Sequence, residues 1–176
     1  MGKQYKVLTD KDIKFIKEQK IFYIASSSGK EVNLSPKGYD TIRVLSDDTL
    51  IFLNYPGSGN RTYRDALADG EFTLVFNSYE KKPMILRLFC KVKIVKEKSD
   101  DFYKYLELFK EKESLVRNFF VLSIYGVETS CGDGIPHMEY KEDRPLLRKW
   151  MEKLDKNDTL ETYKTDHFTP PNMKNI

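Results

Sequence analysis

Apolar residues recur along this chain with two periods, and the places where one period gives way to the other mark out the expected elements. Near the N-terminus, Thr9 followed by Asp12 forms a capping-box pattern with Asp in the usual place of Glu, and Ile13, Phe15 and Ile16 supply the apolar side of a short helix. From Ile21 to Ala25 the residues are β-branched or aromatic, Ser26 to Lys30 is a turn cluster, and Glu31 to Ser35 alternates polar with apolar. That sequence predicts a β-hairpin. Thr41 to Leu45 and Thr49 to Tyr55 predict two more strands around the turn Ser46-Asp47-Asp48. After the loop Pro56-Gly57-Ser58-Gly59-Asn60, the segment Arg61 to Asp69 has helical composition, and Gly70 stands where a left-handed cap would end it. Phe72 to Phe76 and Met84 to Val95, joined through Glu80-Lys81-Lys82-Pro83, predict a second hairpin. Ser99 is a candidate cap for a helix whose Phe102, Tyr105, Leu106 and Phe109 share one face. Phe119 to Val127 predicts the last strand, and from Glu142 an amphipathic helix runs through Leu146, Leu147, Trp150, Met151 and Leu154. The polar tail beyond Asn157 is expected to fray. Strands in the middle with helices toward the ends predict a mainly β fold, an antiparallel barrel that is closed or partly open.

Composition narrows the function classes. With 176 residues the chain is expected to form a single domain over residues 1–176, with a C-terminal helical extension over about 142–165. The 11 Phe and 11 Tyr supply a large aromatic core. A formal net charge of only +3 argues against a nucleic-acid partner, even with Lys91, Lys93 and Lys96 close together. Met1 to Thr9 carries no apolar leader, and no segment has the unbroken apolar length of a membrane span, so a cytoplasmic protein without a membrane partner is expected. Cys90 and Cys131 are far apart in sequence, as are His137 and His167, so neither a disulfide framework nor a metal centre is indicated.

Two polar segments carry candidate chemistry. Asn54 to Thr62 ends a strand and begins a helix, which leaves backbone N–H groups unpaired at a site favourable to negative charge. Gly57 and Gly59 permit positive φ and close approach, while Ser58, Asn60, Arg61 and Thr62 add donors suited to phosphate. The stretch lacks both the Gly-Lys-Ser/Thr of a P-loop and the spacing of the dinucleotide fingerprint, so an ordinary turn and helix cap is the alternative. In Val32 to Gly38, the polar residues Asn33, Ser35 and Lys37 share one strand face at period two, either as a donor wall or as a solvated surface. Arg87 inside an apolar run is either a ligand contact or the outward face of a strand. Cys131 has no His nearby, which favours an ordinary loop thiol over a nucleophile.

Taken in order, Val32-Asn33-Leu34-Ser35-Pro36-Lys37-Gly38, Gly57-Ser58-Gly59-Asn60, Ile85-Leu86-Arg87-Leu88 and the Ser130 to Pro136 loop resemble the pyridoxamine phosphate oxidase-like branch of the FMN-binding split-barrel family. The likeness runs from about Ile13 to Trp150. It implies a six-stranded antiparallel split barrel with peripheral helices, which dimerises with FMN in a groove between subunits. Flavin contacts would then fall on Asn33, Ser35, Lys37, Ser58, Gly59, Asn60, Arg61 and Thr62, with Arg87 and Cys131 as further contacts. Leu34, Leu53 and Ile135 would wall the ring. Arg61 departs from the family, whose members often carry an acid there. The implied activity is an FMN-dependent oxidoreductase acting on a small molecule, a deazaflavin being the less favoured cofactor. The alternative is a non-catalytic module binding flavin or haem. The tail, with Asp166-His167-Phe168-Thr169-Pro170, lacks the Arg-x-His motif of true pyridoxamine phosphate oxidases, so pyridoxamine phosphate is not the expected substrate.

Overall fold

The structure, a computed structural model, describes residues 2–29, 31–68, 70–80 and 82–173. Lys30 of the expected turn, Asp69 at the expected helix end, Lys81 of the hairpin connection and the last residues of the tail lie outside them. The elements run β1 (Lys3–Tyr5), α1 (Asp10–Glu18), β2 (Phe22–Ser27), β3 (Val32–Lys37), β4 (Ile42–Val44), β5 (Thr49–Asn54), α2 (Arg61–Leu67), β6 (Phe72–Asn77), β7 (Ile85–Lys96), α3 (Asp100–Phe109), β8 (Asn118–Ser130), α4 (Leu146–Lys156) and α5 (Leu160–Asp166). The strands form one sheet in the order β3-β2-β6-β7-β8-β5-β4, with β1 added beside β8, and every pairing is antiparallel. β3 and β4 end the strand order, pairing among the described residues with β2 and β5 alone, and β1 forms a further short edge on β8. The sheet is therefore curled and open, a split barrel. Among the described residues it has eight strands where the resemblance implied six; the hydropathy pattern offers seven, β4 included, and the polar three-residue β1 is too brief to stand out by period.

Curling encloses one face. Phe22, Ile24, Phe52, Phe72, Leu74, Phe76, Leu86, Leu88, Phe120 and Leu122 fill the interior, with Phe52 and Phe120 stacked at 5.9 Å between ring centroids. Each such ring contributes about 1.5–3 kcal/mol by leaving water. On the other face of β5, β7 and β8, the residues Ile51, Leu53, Val95 and Phe119 are covered by Phe102 and Tyr105 of α3. Ser99 caps that helix by accepting from the Phe102 amide, as its sequence suggested.

Three local departures have physical causes. Helix α4 begins at Leu146 and not at Glu142, because Arg144 precedes Pro145 and the proline disfavours helical backbone at the residue before it. The tail forms α5 where fraying was expected. Leu160 buries against Met151 and Leu115, and Lys164 donates to Glu97, Glu161 and the Val116 carbonyl. Gly70 does not adopt positive φ, so it is no left-handed cap. A Cβ there would lie 2.4 Å from the Ser27 carbonyl oxygen and 2.7 Å from that of Asp65, so glycine is required by the close approach of β2 and α2.

Candidate functional site

Edge strand β3 is inverted relative to its hydropathy. Asn33, Ser35 and Lys37 stand opposite Ser26, Ile24 and Phe22, all three buried, so the polar side chains face the barrel interior. Val32 and Leu34 point outward, 77% and 62% exposed. The polar face is half-buried, and two of its three side chains are hydrogen-bonded. Asn33 donates to Ser26 Oγ at 3.0 Å and to Thr62 Oγ1 at 3.2 Å, and Ser35 donates to Asn33 Oδ1 at 3.2 Å. Ser26 in turn donates to Asp65, which is fully buried. The two polar segments singled out in the sequence thus meet, joined by the Asn33–Thr62 hydrogen bond.

Charge at this junction is largely compensated. Glu31 accepts from Arg61 Nε at 3.0 Å and from Arg64 Nη1 at 2.6 Å, while Asp65 accepts from Arg64. The Arg64 hydrogen bond is the main reason that the Glu31 carboxyl is held down at about 2. Asn60 donates to the Phe168 carbonyl at 2.8 Å and Arg61 to that of Pro171 at 3.3 Å. Phe168 also packs edge-on against Tyr63, at 5.2 Å between centroids. The C-terminal tail has therefore taken up two of the donors that the sequence offered to phosphate.

Lys37 is different. It lines a cavity of about 990 Å³ together with Gly57 and Gly59, so both polar segments border one space. Its ammonium sits 5.6 Å from the centre of the Phe52 ring, and no carboxylate of the described residues pairs with it. Burial alone pushes its pKa down to about 8. A half-buried cation without a carboxylate partner among the described residues is costly, and an anionic ligand removes that cost. At Gly57 a Cβ would meet nothing within 4 Å, so space is open beside the backbone there. Neither Gly57 nor Gly59 uses positive φ, and at Gly59 the nearest atom to a Cβ would be Arg61 Nη1 at 3.9 Å, so neither backbone strain nor packing within the chain demands a glycine at these positions.

The rest of the cavity came from no motif. Phe52, Leu53, Tyr23, Tyr39, Tyr55 and Tyr79 supply aromatic and apolar walls, and the stretch from Met138 to Leu147 closes one side. That stretch is pinned by the Tyr39 hydroxyl donating to the Arg144 carbonyl, by the Met138 amide donating to the Tyr79 carbonyl and by the Tyr140 amide donating to Glu80. Among the expected wall residues Leu53 lines the cavity, Leu34 points away on the outer face of β3, and Ile135 is not part of the lining. Ser58 is exposed on the loop. Arg87 lies on the outer face of the sheet, donating to Ser130 Oγ at 3.0 Å beside Glu128, and Cys131 is an exposed free thiol. Neither borders the cavity.

A curled, open antiparallel sheet with helices outside and an aromatic cavity at its edge defines a split-barrel protein. HupZ of Group A Streptococcus superposes with a TM-score of 0.57 at 15% identity, over 68% of this chain and 91% of that one. A Lactobacillus delbrueckii protein, provisionally assigned as a pyridoxamine 5'-phosphate oxidase, gives 0.55 at 18% identity, over 70% and 98%. These likenesses establish the fold. No family model matches the sequence. The Aspergillus flavus pyridoxamine 5'-phosphate oxidase family protein ustO is 30% identical over 145 residues, which cover 79% of this chain and 58% of that protein. The chain belongs to the pyridoxamine 5'-phosphate oxidase-like family, and it spans less than two thirds of that relative's length. No helix among the described residues is long and apolar enough to cross a membrane.

Proposed function

We propose that the cavity beside Lys37 binds FMN and that the protein is a flavin-dependent oxidoreductase of the cytoplasm. The observation that carries this reading is the unpaired, partly buried Lys37 ammonium facing an aromatic-walled space bordered by Gly57 and Gly59. A phosphate needs a cation and close backbone donors, and a planar ring needs dry apolar walls. Those requirements meet here in one cavity. Bound flavin supplies hydride-transfer chemistry of its own. The chain's part is to hold and orient: Lys37 takes the anionic end, Gly57 allows the backbone to come close, and Phe52 and Leu53 exclude water. Asn33, Ser35 and Thr62 act one step removed, by fixing β3 against α2 so that Lys37 keeps its place.

Pyridoxamine phosphate is not the substrate in this reading. His167 stacks on Tyr163 with 4.0 Å between centroids and Phe168 packs on Tyr63, so the tail is committed to packing away from the cavity. We also infer a homodimer. The outer face of β3 and its neighbours carries exposed Val32, Leu34 and Pro36, and the cavity reaches this edge at Pro36 and Tyr23, so a second copy seated there borders the ligand. The second reading, a non-catalytic flavin- or haem-binding module, predicts stoichiometric ligand without turnover. Anaerobic mixing of the FMN-loaded protein with NADH or NADPH separates the two: bleaching of the flavin band supports the oxidoreductase. Inertness toward both donors and a broad substrate panel leaves the binding module. Identification of the released chromophore distinguishes FMN from a deazaflavin.

A further inference from the structure

Two of the tyrosine hydroxyls bordering the cavity are already spent. Tyr39 donates to the Arg144 carbonyl, and Tyr55 donates to Glu111 at 2.6 Å while accepting from Arg148. Tyr23 and Tyr79 instead face each other, hydroxyl to hydroxyl, at 3.1 Å. Two phenols hold two protons, and the bond between them uses one. One O–H is left over, at a pair of side chains that both line the cavity. The hydrogen bond to Tyr79, with burial behind it, raises the Tyr23 pKa, so the phenol is protonated at neutral pH and acts as a donor.

The position of the pair gives that donor a purpose. Tyr23 stands opposite Pro36 in the β2–β3 register, one residue from Lys37. Tyr79 follows β6 and its carbonyl accepts from the Met138 amide, so the same residue anchors the covering stretch. Lys37 points to the inner face of the sheet and Tyr23, on the neighbouring strand, to the outer face, so the cavity turns around the end of β3 to offer a cation on one side and a neutral donor on the other, with Phe52 and Leu53 among the walls.

We propose that the Tyr23–Tyr79 pair recognises the ring of the ligand, donating one hydrogen bond to a carbonyl oxygen of a planar heterocycle whose anionic end is held at Lys37. This inference rests on the flavin reading and specifies which group positions the ring. A chain of O–H donors polarises as its terminal acceptor gains negative charge, so the pair binds the reduced, electron-rich ring more strongly than the oxidised one. It is a positioning pair that raises the reduction potential of the bound flavin.

The test uses the full chain with FMN and with riboflavin, which has the ring but no phosphate, in the wild type, Tyr23→Phe, Tyr79→Phe and the double variant. Phenylalanine keeps each ring, and thermal melting of the ligand-free variants checks the fold. Loss of one hydrogen bond of ordinary strength weakens binding about tenfold in the double variant. The factor is the same for FMN and riboflavin, with a shifted flavin absorption band and a lower reduction potential. Lys37→Met, in contrast, weakens FMN and leaves riboflavin unchanged. The inference is overturned if the wild type binds FMN while the double variant matches it within twofold for both ligands, with unshifted spectrum and potential. If the wild type binds neither ligand, the flavin reading itself fails and this inference falls with it.

Discussion

Lys37 combines a cost to the fold with a use for the ligand. Its pKa of about 8 lies below the ordinary lysine value because burial penalises the charged form. The unfolded chain therefore holds this proton more tightly than the folded one, and the penalty on stability is largest below pH 8 and relaxes as pH rises toward the ordinary lysine range. Bound phosphate reverses the sense of the effect, since it needs the proton that burial disfavours. FMN affinity is accordingly expected to fall as pH rises through about 8, as measured by fluorescence quenching. Lys37→Met should leave the ligand-free protein at least as resistant to heat and weaken FMN by roughly 10–100-fold, the range for one charge-assisted hydrogen bond. A calorimetric melt and a titration on the same sample check both halves. At this scale the sequence was legible in part. Period two put Asn33, Ser35 and Lys37 on one face but left open whether that face was a donor wall or a solvated surface; the register of β3 on β2 turns it inward, and turns Leu34, an expected ring wall, outward.

Among the elements, the contact of β2 with α2 is the tightest point of the site's frame. Gly70 is in contact with the Ser27 and Asp65 carbonyl oxygens closely enough that any side chain forces the helix and strand apart. Gly70→Ala is expected to destabilise the protein by about 1–3 kcal/mol, the usual cost of overpacking, and to weaken FMN through displacement of α2. Urea unfolding and a flavin titration measure the two effects. The tail contributes from the other side of the glycine loop: Asn60 and Arg61 spend their donors on the carbonyls of Phe168 and Pro171. Phe168→Ala removes the ring against Tyr63 and should lower the melting temperature while changing FMN affinity less than Lys37→Met does, because the tail does not line the cavity. These contacts were not readable in advance. Helix α1, the two hairpins and α3 announce themselves through caps and periods within a few residues, whereas the tail finds its place largely through distant partners, Glu97 and Val116 for Lys164 and Asn60 for the Phe168 carbonyl. The covering stretch from Met138 to Leu147 has no period at all, and backbone hydrogen bonds to Tyr79 and Glu80 give it form.

For the whole molecule, the open barrel leaves an apolar outer face beside the cavity, and the inferred second copy covers it. Leu34→Glu puts a charge at the exposed centre of β3 without touching the interior. It is expected to shift the protein from dimer to monomer in sedimentation velocity and to weaken FMN in parallel, while a dimer that persists removes this face from consideration. The curled sheet itself was foreseeable from strands that alternate and turns that recur. The strand order was not, since β8 pairs with β7, β5 and β1 through contacts that no local pattern encodes. The most direct measurement for the account as a whole is an FMN titration of the purified protein between pH 6 and pH 10, run beside Lys37→Met. The predicted result is saturation at one FMN per chain, with an affinity that declines above about pH 8 in the wild type and is weak and flat with pH in the variant. Absence of binding, or a variant that matches the wild type across the range, contradicts it.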